Sequence, residues 1–341
     1  MTTLETSRLR LRMFKEEDFA AAHSYASVTE NIVYMPFGPN SEEDTRAFIG
    51  VAIEKAQERP CTSYQRAIVL KATGEVIGGC GVDISDDTAT LGWLLHRDHW
   101  KQGYGTEVGR ALLGFAFDDL GMHRAVATCD AGNIGSYQLM EKIGMRREGL
   151  FIEARPAHKL SNKIHGDELL YAILKDEWDV QKEIAHYNAL PCEFTGFIDL
   201  PLLSDGVIHL VCTEKKPAIP EKKYVPSYDF AICKGSAKIG SINLRIGYVD
   251  SLYYGGQIGY GIDEKHRGNG YVGRACELLW QVAKAHGMQT LLITNNHINT
   301  ASVRVCEKLG TRFIRTARLP EWHDLYKQGQ RFVNIYEWRR M

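Results

Sequence analysis

The sequence predicts an α/β (α+β) protein of two domains, each a mixed, mostly antiparallel sheet flanked by helices. Three observations predict it. The chain has 341 residues, more than one ordinary core organises. A pattern in the first half recurs in the second at a near-constant offset. Within each copy the order strand, glycine-rich loop, helix, strand, helix reads off the periodicity.

The repeat is the strongest of these. WLLHRDHWKQGYGTEVGRALLGFA (93–116) runs parallel to YGIDEKHRGNGYVGRACELLWQVA (260–283), with Gly103 and Gly270 lying 167 positions apart. Further on, NIGSYQLMEKIG (133–144) matches NTASVRVCEKLG (299–310) at an offset of 166. In the first copy, strands are predicted over 66–70, 76–82, 90–95 and 125–129, and helices over 106–120 and 134–143. Gly121 and Gly144 stand as C-terminal caps. The second copy repeats this order over 230–233, 239–246, 257–262, 273–286, 290–294 and 300–309. Helical stretches at 16–27 and 42–58 precede the first repeat. A short loop holding Pro217, Pro220 and Pro226 replaces them in the second. The boundary is expected within 176–191, giving domains 1–178 and 179–341.

Composition narrows the function classes. A formal charge of -1, with 44% hydrophobic and 24% charged residues, suits a globular chain and implies neither nucleic acid nor an anionic membrane as partner. The opening MTTLETSRLRLRMF has no apolar signal core, and no window reaches membrane-span length. The eight cysteines form no C-x-x-C pair, so buried thiols in a reducing, cytoplasmic setting are expected. His96, His99, His123, His158, His165, His297 and His323 show no metal-ligand spacing, and no metal is expected.

The chemistry sits in the glycine loops. In the first copy Gln102, Gly103, Tyr104, Gly105 and Thr106 join a strand to a helix. In the second the same junction is Arg267, Gly268, Asn269, Gly270, Tyr271, Val272 and Gly273. Glycine admits unusual backbone dihedrals and close approach, and a helix start offers free N–H donors at the positive end of its dipole. The pair suits a pyrophosphate, or simply a tight turn.

These loops resemble the coenzyme-binding motif Q/R-x-x-G-x-G/A of the GNAT acyltransferase superfamily. The second copy matches at Arg267 and Gly270 and departs at Val272. The first matches at Gly103 and Gly105, with Trp100 in place of Arg or Gln, as in the branch resembling ribosomal-protein N-terminal acetyltransferases. LETSRLRLRMFKEEDF also resembles that branch. The N-x-x-S-x-x-x-x-E-K-x-G helix, starting at Asn133 and Asn299, resembles the family's second motif. The resemblance implies acetyl-CoA as cofactor and transfer of acetyl to an amine by direct attack in a ternary complex. The acceptor would be a small molecule or a protein N-terminus. Orientation would supply much of the rate.

By the same resemblance, backbone donors for the thioester oxygen lie near Leu94, Leu95 and His96, and near Ile262, Asp263 and Glu264. Met140 and Cys306 stand where relatives place a proton-donating Tyr, and read as helix packing. Ser136 and Ser302 match an alternative donor position, or cap their helices. Thr90 and Gln257 stand where many relatives carry a basic Glu. Glu153 and Glu321 are later candidates for that base, or surface charges. Tyr248, Tyr253, Tyr254 and Tyr260 line an acceptor cleft or pack on strands. Val272 and the shortened front of the second copy lead to the expectation that the first domain carries more of the activity and the second binds cofactor more weakly. The alternative is that one or both domains are non-catalytic acyl-CoA-binding or scaffold modules.

Overall fold

The structure, a computed structural model, describes residues 2–340. The chain divides into two compact units, Met1–Gln181 and Lys182–Met341.

In the first unit an eight-stranded sheet has β1 (Leu4–Glu5), β2 (Leu9–Met13), β3 (Ser63–Leu70), β4 (Val76–Ser85), β5 (Thr88–Leu95), β6 (Arg124–Asp130), β7 (Arg146–Pro156) and β8 (His165–Leu174). Their spatial order is β1-β2-β3-β4-β5-β6-β8-β7. Every pairing is antiparallel except β5 with β6, which are parallel and joined only over Thr88–Thr90 against Arg124–Val126. Beyond that point the two strands part.

Helices α1 (Phe19–Ala26) and α2 (Glu42–Lys55) pack Tyr25, Ala26, Ile49 and Ala52 with Phe14, Ala67 and Val69. Ser41 caps α2 by accepting from the Asp44 N–H at 3.1 Å, a contribution of about 1 kcal/mol. Helix α3 (Tyr104–Gly114) and the wide turn Phe115–Asp119 that extends it bury Val108, Leu112, Leu113, Phe115 and Phe117. Helical spacing of apolar residues drives that burial, and Gly121, with φ +68°, follows it. Helix α4 (Ile134–Lys142) ends before Gly144, whose φ of +88° needs glycine. Helix α5 (Lys175–Asn188) leads into the second unit.

The second unit repeats the plan with two separate sheets. Strands β9 (Leu203–Ser204), β10 (His209–Lys216), β11 (Ser227–Lys234) and β12 (Ala237–Arg245) lead through helix α6 (Asp250–Gly255) to β13 (Ile258–Ile262). These form a five-stranded antiparallel sheet. After α7 (Tyr271–Ala285) come β14 (Thr290–Asn295), α8 (Thr300–Lys308), β15 (Arg312–Arg318), α9 (Asp324–Lys327) and β16 (Phe332–Arg339). The last three strands form a sheet in the order β14-β16-β15.

The separation falls between β13 and β14, matching the place where β5 and β6 part in the first unit. Gln257 clasps its base. Its backbone N–H donates to the Leu292 carbonyl at 2.8 Å, its side-chain oxygen accepts from the Leu292 N–H at 2.6 Å, and its amide nitrogen donates to the Gly247 carbonyl at 3.2 Å. Gln257 is thus a buried structural amide. Helix α6 was not foreseen. Tyr253 and Tyr254 lie on it and are buried in the unit.

Candidate active site

Each unit builds the same cradle at the open end of its parted strands. In the first, a single helical turn (Arg97–His99) precedes Lys101 and Gly103, which both take left-handed backbone at φ +59° and +82°. In the second, Glu264–His266 precedes Gly268 and Gly270 at φ +81° and +74°. Gly103 and Gly270 are the N-caps of α3 and α7, and neither helix start has a side-chain cap. The first-turn N–H groups, four per helix in general, therefore have no side-chain cap among the described residues.

Trp100 and Arg267 differ in chemistry but share a task. The Trp100 indole N–H donates to the Leu95 carbonyl at 2.8 Å, and Arg267 Nε donates to the Ile262 carbonyl at 3.4 Å. Leu95 and Ile262 are equivalent positions, so either side chain ties the loop to the end of its strand. Arg8, from the strand-leading segment, adds a cation beside the first cradle. It donates to Glu107 Oε2 at 2.8 Å and the Gln102 carbonyl at 3.0 Å, and lies 4.4 Å over the Tyr104 ring.

The glycine in the middle of the first loop has a different reason. A Cβ on Gly105 would lie 2.5 Å from Leu139 Cδ1 of α4. Its missing side chain makes room for a neighbouring helix. In the second unit Val272 packs into the core, and the counterpart of Leu139 is Val305. The large residue has moved from one helix to the other. The Val272 side chain is thus half-buried against the core.

The parted strands present backbone donors, in a narrower set than expected. The His96 N–H donates to the Ile77 carbonyl at 2.8 Å, and the Asp263 N–H to Ile239 at 3.0 Å. Both are consumed by the sheet. Strand alternation turns Leu95 and Ile262 to the opposite edge, into the gap, and Leu94 back toward β4. Leu95 and Ile262 are therefore the donors available there.

Across the gap stand the starts of α4 and α8. The Asn133 side-chain oxygen accepts from the Ser136 N–H, and that of Asn299 from the Ser302 N–H, each at 3.1 Å. The asparagines are the caps, which corrects the capping reading of the serines and leaves both hydroxyls to other work. In the second unit that work is visible. Ser302 Oγ lies 2.6 Å from the Tyr260 hydroxyl. Burial pushes the Tyr260 phenol well above its ordinary value, the Ser302 bond opposing, so it is protonated at neutral pH. In the first unit Trp93 stands in Tyr260's place, and burial raises the Cys129 thiol to about 11, with nearby Ser136 opposing. Met140 and Cys306 are fully buried packing residues.

The acetyltransferase (GNAT) domain family matches residues 8–146 and 211–312. The chain belongs to that family. It is 32% identical over 178 residues to the uncharacterized N-acetyltransferase YnaD of Bacillus subtilis (strain 168), covering 52% of this chain and 99% of that protein. A GNAT-family acetyltransferase structure from Bacillus anthracis is 31% identical and covers 51% of this chain and 99% of its own, with a TM-score of 0.45. The ribosomal-protein acetyltransferase RimL, solved with coenzyme A, is 20% identical over 52% of this chain and 99% of its own, with a TM-score of 0.45. The chain is an N-acetyltransferase, and acetyl-CoA is the family's donor.

The cradles fit that cofactor: uncapped helix starts, left-handed glycines and a cationic Arg8 or Arg267 suit a pyrophosphate. The parted strands of this GNAT fold also hold residues that sequence reasoning missed. A cleft of about 240 Å³ in the second unit is lined by Tyr260, Ser302, Asn299, Asn296, Thr294 and Arg245, among others. Of the four tyrosines singled out, Tyr260 alone lines it. Tyr248 donates to the Thr290 carbonyl at 2.6 Å, and Tyr253 bonds Glu183.

Neither late glutamate reaches such a position. Glu153 is exposed in a bulge of β7 at φ +50°, its N–H held by Asp167 at 2.9 Å. Glu321 is exposed and accepts from Tyr326 at 3.4 Å. In the first unit the carboxylates beside the Asn133 cap are Asp130 and Glu168, cross-strand partners flanking Arg155 at 3.9 and 3.7 Å. No spacing rule links residues 38 positions apart, so only the β6–β8 register reveals them. Among the described residues there is no group able to hold a metal ion, and no helix is long and apolar enough to cross a membrane.

Proposed function

We propose that both units are acetyl-CoA sites and that acetyl passes to a primary amine by direct attack, with amine and thioester bound side by side. The observation that carries this is the Tyr260–Ser302 pair, a protonated phenol and a serine hydroxyl 2.6 Å apart in the cleft between parted strands. Acetyl-CoA supplies an activated acyl thioester. In the second unit the N–H groups of Gly270, Tyr271, Val272 and Gly273, with Arg267, hold its pyrophosphate. The Gln102–Thr106 segment and Arg8 do so in the first. The Leu95 and Ile262 N–H groups direct positive charge at the thioester oxygen.

Ser302 Oγ holds a proton for the departing sulfur, and the Tyr260 hydroxyl replaces it through their shared hydrogen bond. The proton lost by the amine returns to Tyr260 along the polar cleft, where Asn296 and Thr294 offer hydrogen-bond partners, so the pair ends the reaction as it began. Ser136 takes the serine role in the first unit without a phenol behind it. The acceptor is a small molecule or a protein N-terminus.

Removing a positioned proton donor costs roughly 10²-fold or more. Thiol release by the Tyr260→Phe and Ser302→Ala chains, each carrying Gly103→Asp to block the first cradle, is the test. Both should lose turnover at unchanged acetyl-CoA affinity. Full turnover in Ser302→Ala would remove the pair from the reaction.

A further inference from the structure

We propose that the second unit's cleft takes an amine acceptor that also carries a carboxylate, and that Arg245 binds that carboxylate. The inference rests on reading this unit as an acetyl-transfer site. Arg245 is the last residue of β12 and lines the cleft of about 240 Å³. It is the only ionised side chain among the described residues that do so, and no Asp or Glu is among them.

One edge of the guanidinium is fixed. Arg245 Nη1 donates to the Gly255 and Gly256 carbonyls at 3.3 and 3.0 Å. Neither Nε nor Nη2 has an acceptor among the described residues. Burial pulls its pKa down, with Asp229 opposing, so the cation is held part-desolvated with no ion-pair partner. A guanidinium offers two parallel N–H donors that match a carboxylate, and a half-buried cation without an ion-pair partner gains when an anion meets it. Beneath Gly255, His323 bonds the Ser251 carbonyl at 3.0 Å, and burial lowers its pKa. It adds no rival charge at neutral pH.

Position separates this cation from the cofactor's phosphates. The Arg245 N–H donates to the Gln257 carbonyl at 2.9 Å, at the base of β13. The cradle of Gly270 lies beyond the other end of that strand. Five strand residues span roughly 16 Å, and Tyr260 and Ser302 sit between. An acceptor anchored at Arg245 therefore reaches toward the Tyr260–Ser302 pair from the side opposite the cradle. The absence of a lining carboxylate also disfavours acceptors with a second cation, such as polyamines.

The test uses the full chain with Gly103→Asp, and measures thiol release from acetyl-CoA with matched amino acids, their amides and simple diamines. At least one acid should exceed its amide by about tenfold or more in kcat/KM, as expected for loss of a desolvated charge pair. Arg245→Gln should abolish that preference, and Arg245→Lys should keep part of it, both with unchanged acetyl-CoA affinity by calorimetry. Equal use of acid and amide, preference for diamines, failure of every acid, or a preference that survives Arg245→Gln would overturn the proposal. A chain whose acetyl-CoA binding is indifferent to Gly270→Asp would instead refute the underlying acetyl-transfer reading.

Discussion

Replacing Gly105 by alanine tests whether the second glycine of the first cradle serves the cofactor or the neighbouring helix. The added Cβ would meet Leu139 Cδ1 at 2.5 Å, with Leu95 Cδ1 next at 3.7 Å. An ordinary contact begins near 3.4 Å, so Leu139 must retreat by most of an ångström. Overpacking of this kind costs about 1–3 kcal/mol, while alanine gains up to about 1 kcal/mol over glycine in a helix. The net expectation is a loss of about 0–2 kcal/mol. Leu139→Ala alone removes partly buried apolar surface at a cost of about 1–2 kcal/mol. In the double variant the clash is gone, so the two changes should couple favourably by about 1–2 kcal/mol. Chemical denaturation followed through the first unit measures all three chains, and calorimetry measures acetyl-CoA affinity in each. Affinity should stay within about threefold in Gly105→Ala;Leu139→Ala. A tenfold loss of affinity with no coupling in stability would show that position 105 faces the cofactor, and the packing argument would fall.

Two other perturbations follow from the same cradle. Glu107 accepts from Thr6, Ser7 and both the backbone and side chain of Arg8, and although burial opposes them these bonds hold its carboxyl down near 2. A folded value below the ordinary 4.5 means that its stabilisation is complete above that pH and is lost as pH falls toward 2. Glu107→Gln should lower the first unit's stability at neutral pH and flatten its pH dependence between those limits in acid titrations. Trp100→Arg should preserve acetyl-CoA affinity in the first unit, since Arg267 makes the equivalent bond to a strand-end carbonyl. Trp100→Phe, which cannot donate, should weaken it several-fold by calorimetry.

The repeat and the cradle were legible because their determinants are local. A left-handed turn needs glycine, a helix needs periodic apolar residues, and an asparagine cap sits three residues before the serine whose N–H it accepts. What escaped the sequence depends on pairs brought together by the fold. Tyr260 and Ser302 lie on different elements 42 positions apart. Nothing local marks Arg245, whose role depends on the Gly255 and Gly256 carbonyls at the end of α6. The approach of Leu139 to Gly105 was hidden because a short glycine pattern cannot say which neighbour occupies the missing side chain's space. Glu153 and Glu321 were reasonable carboxylates in linear order that β-bulge and loop geometry turn to solvent.

The way the two copies differ bears on whether both bind cofactor. Around the cradle the substitutions compensate one another. Trp100 and Arg267 donate to equivalent carbonyls. The size lost at Gly105 is filled from Leu139, while the counterparts Val272 and Val305 divide that bulk between the two helices. Glu107 ties its helix start to the Thr6–Arg8 segment, and its counterpart Arg274 ties the other helix to Asp205 at 2.8 Å with the charges reversed. A loop with no remaining task would have no reason to keep its geometry through paired changes. Around the acceptor side the differences do not compensate. Trp93 corresponds to Tyr260 and Asp130 to Asn296, and the segment that holds α1 and α2 in the first unit is a loop before β11 in the second. Val272 is half-buried against the core, and on the proposed reading the Tyr260–Ser302 pair equips that unit to protonate a leaving sulfur.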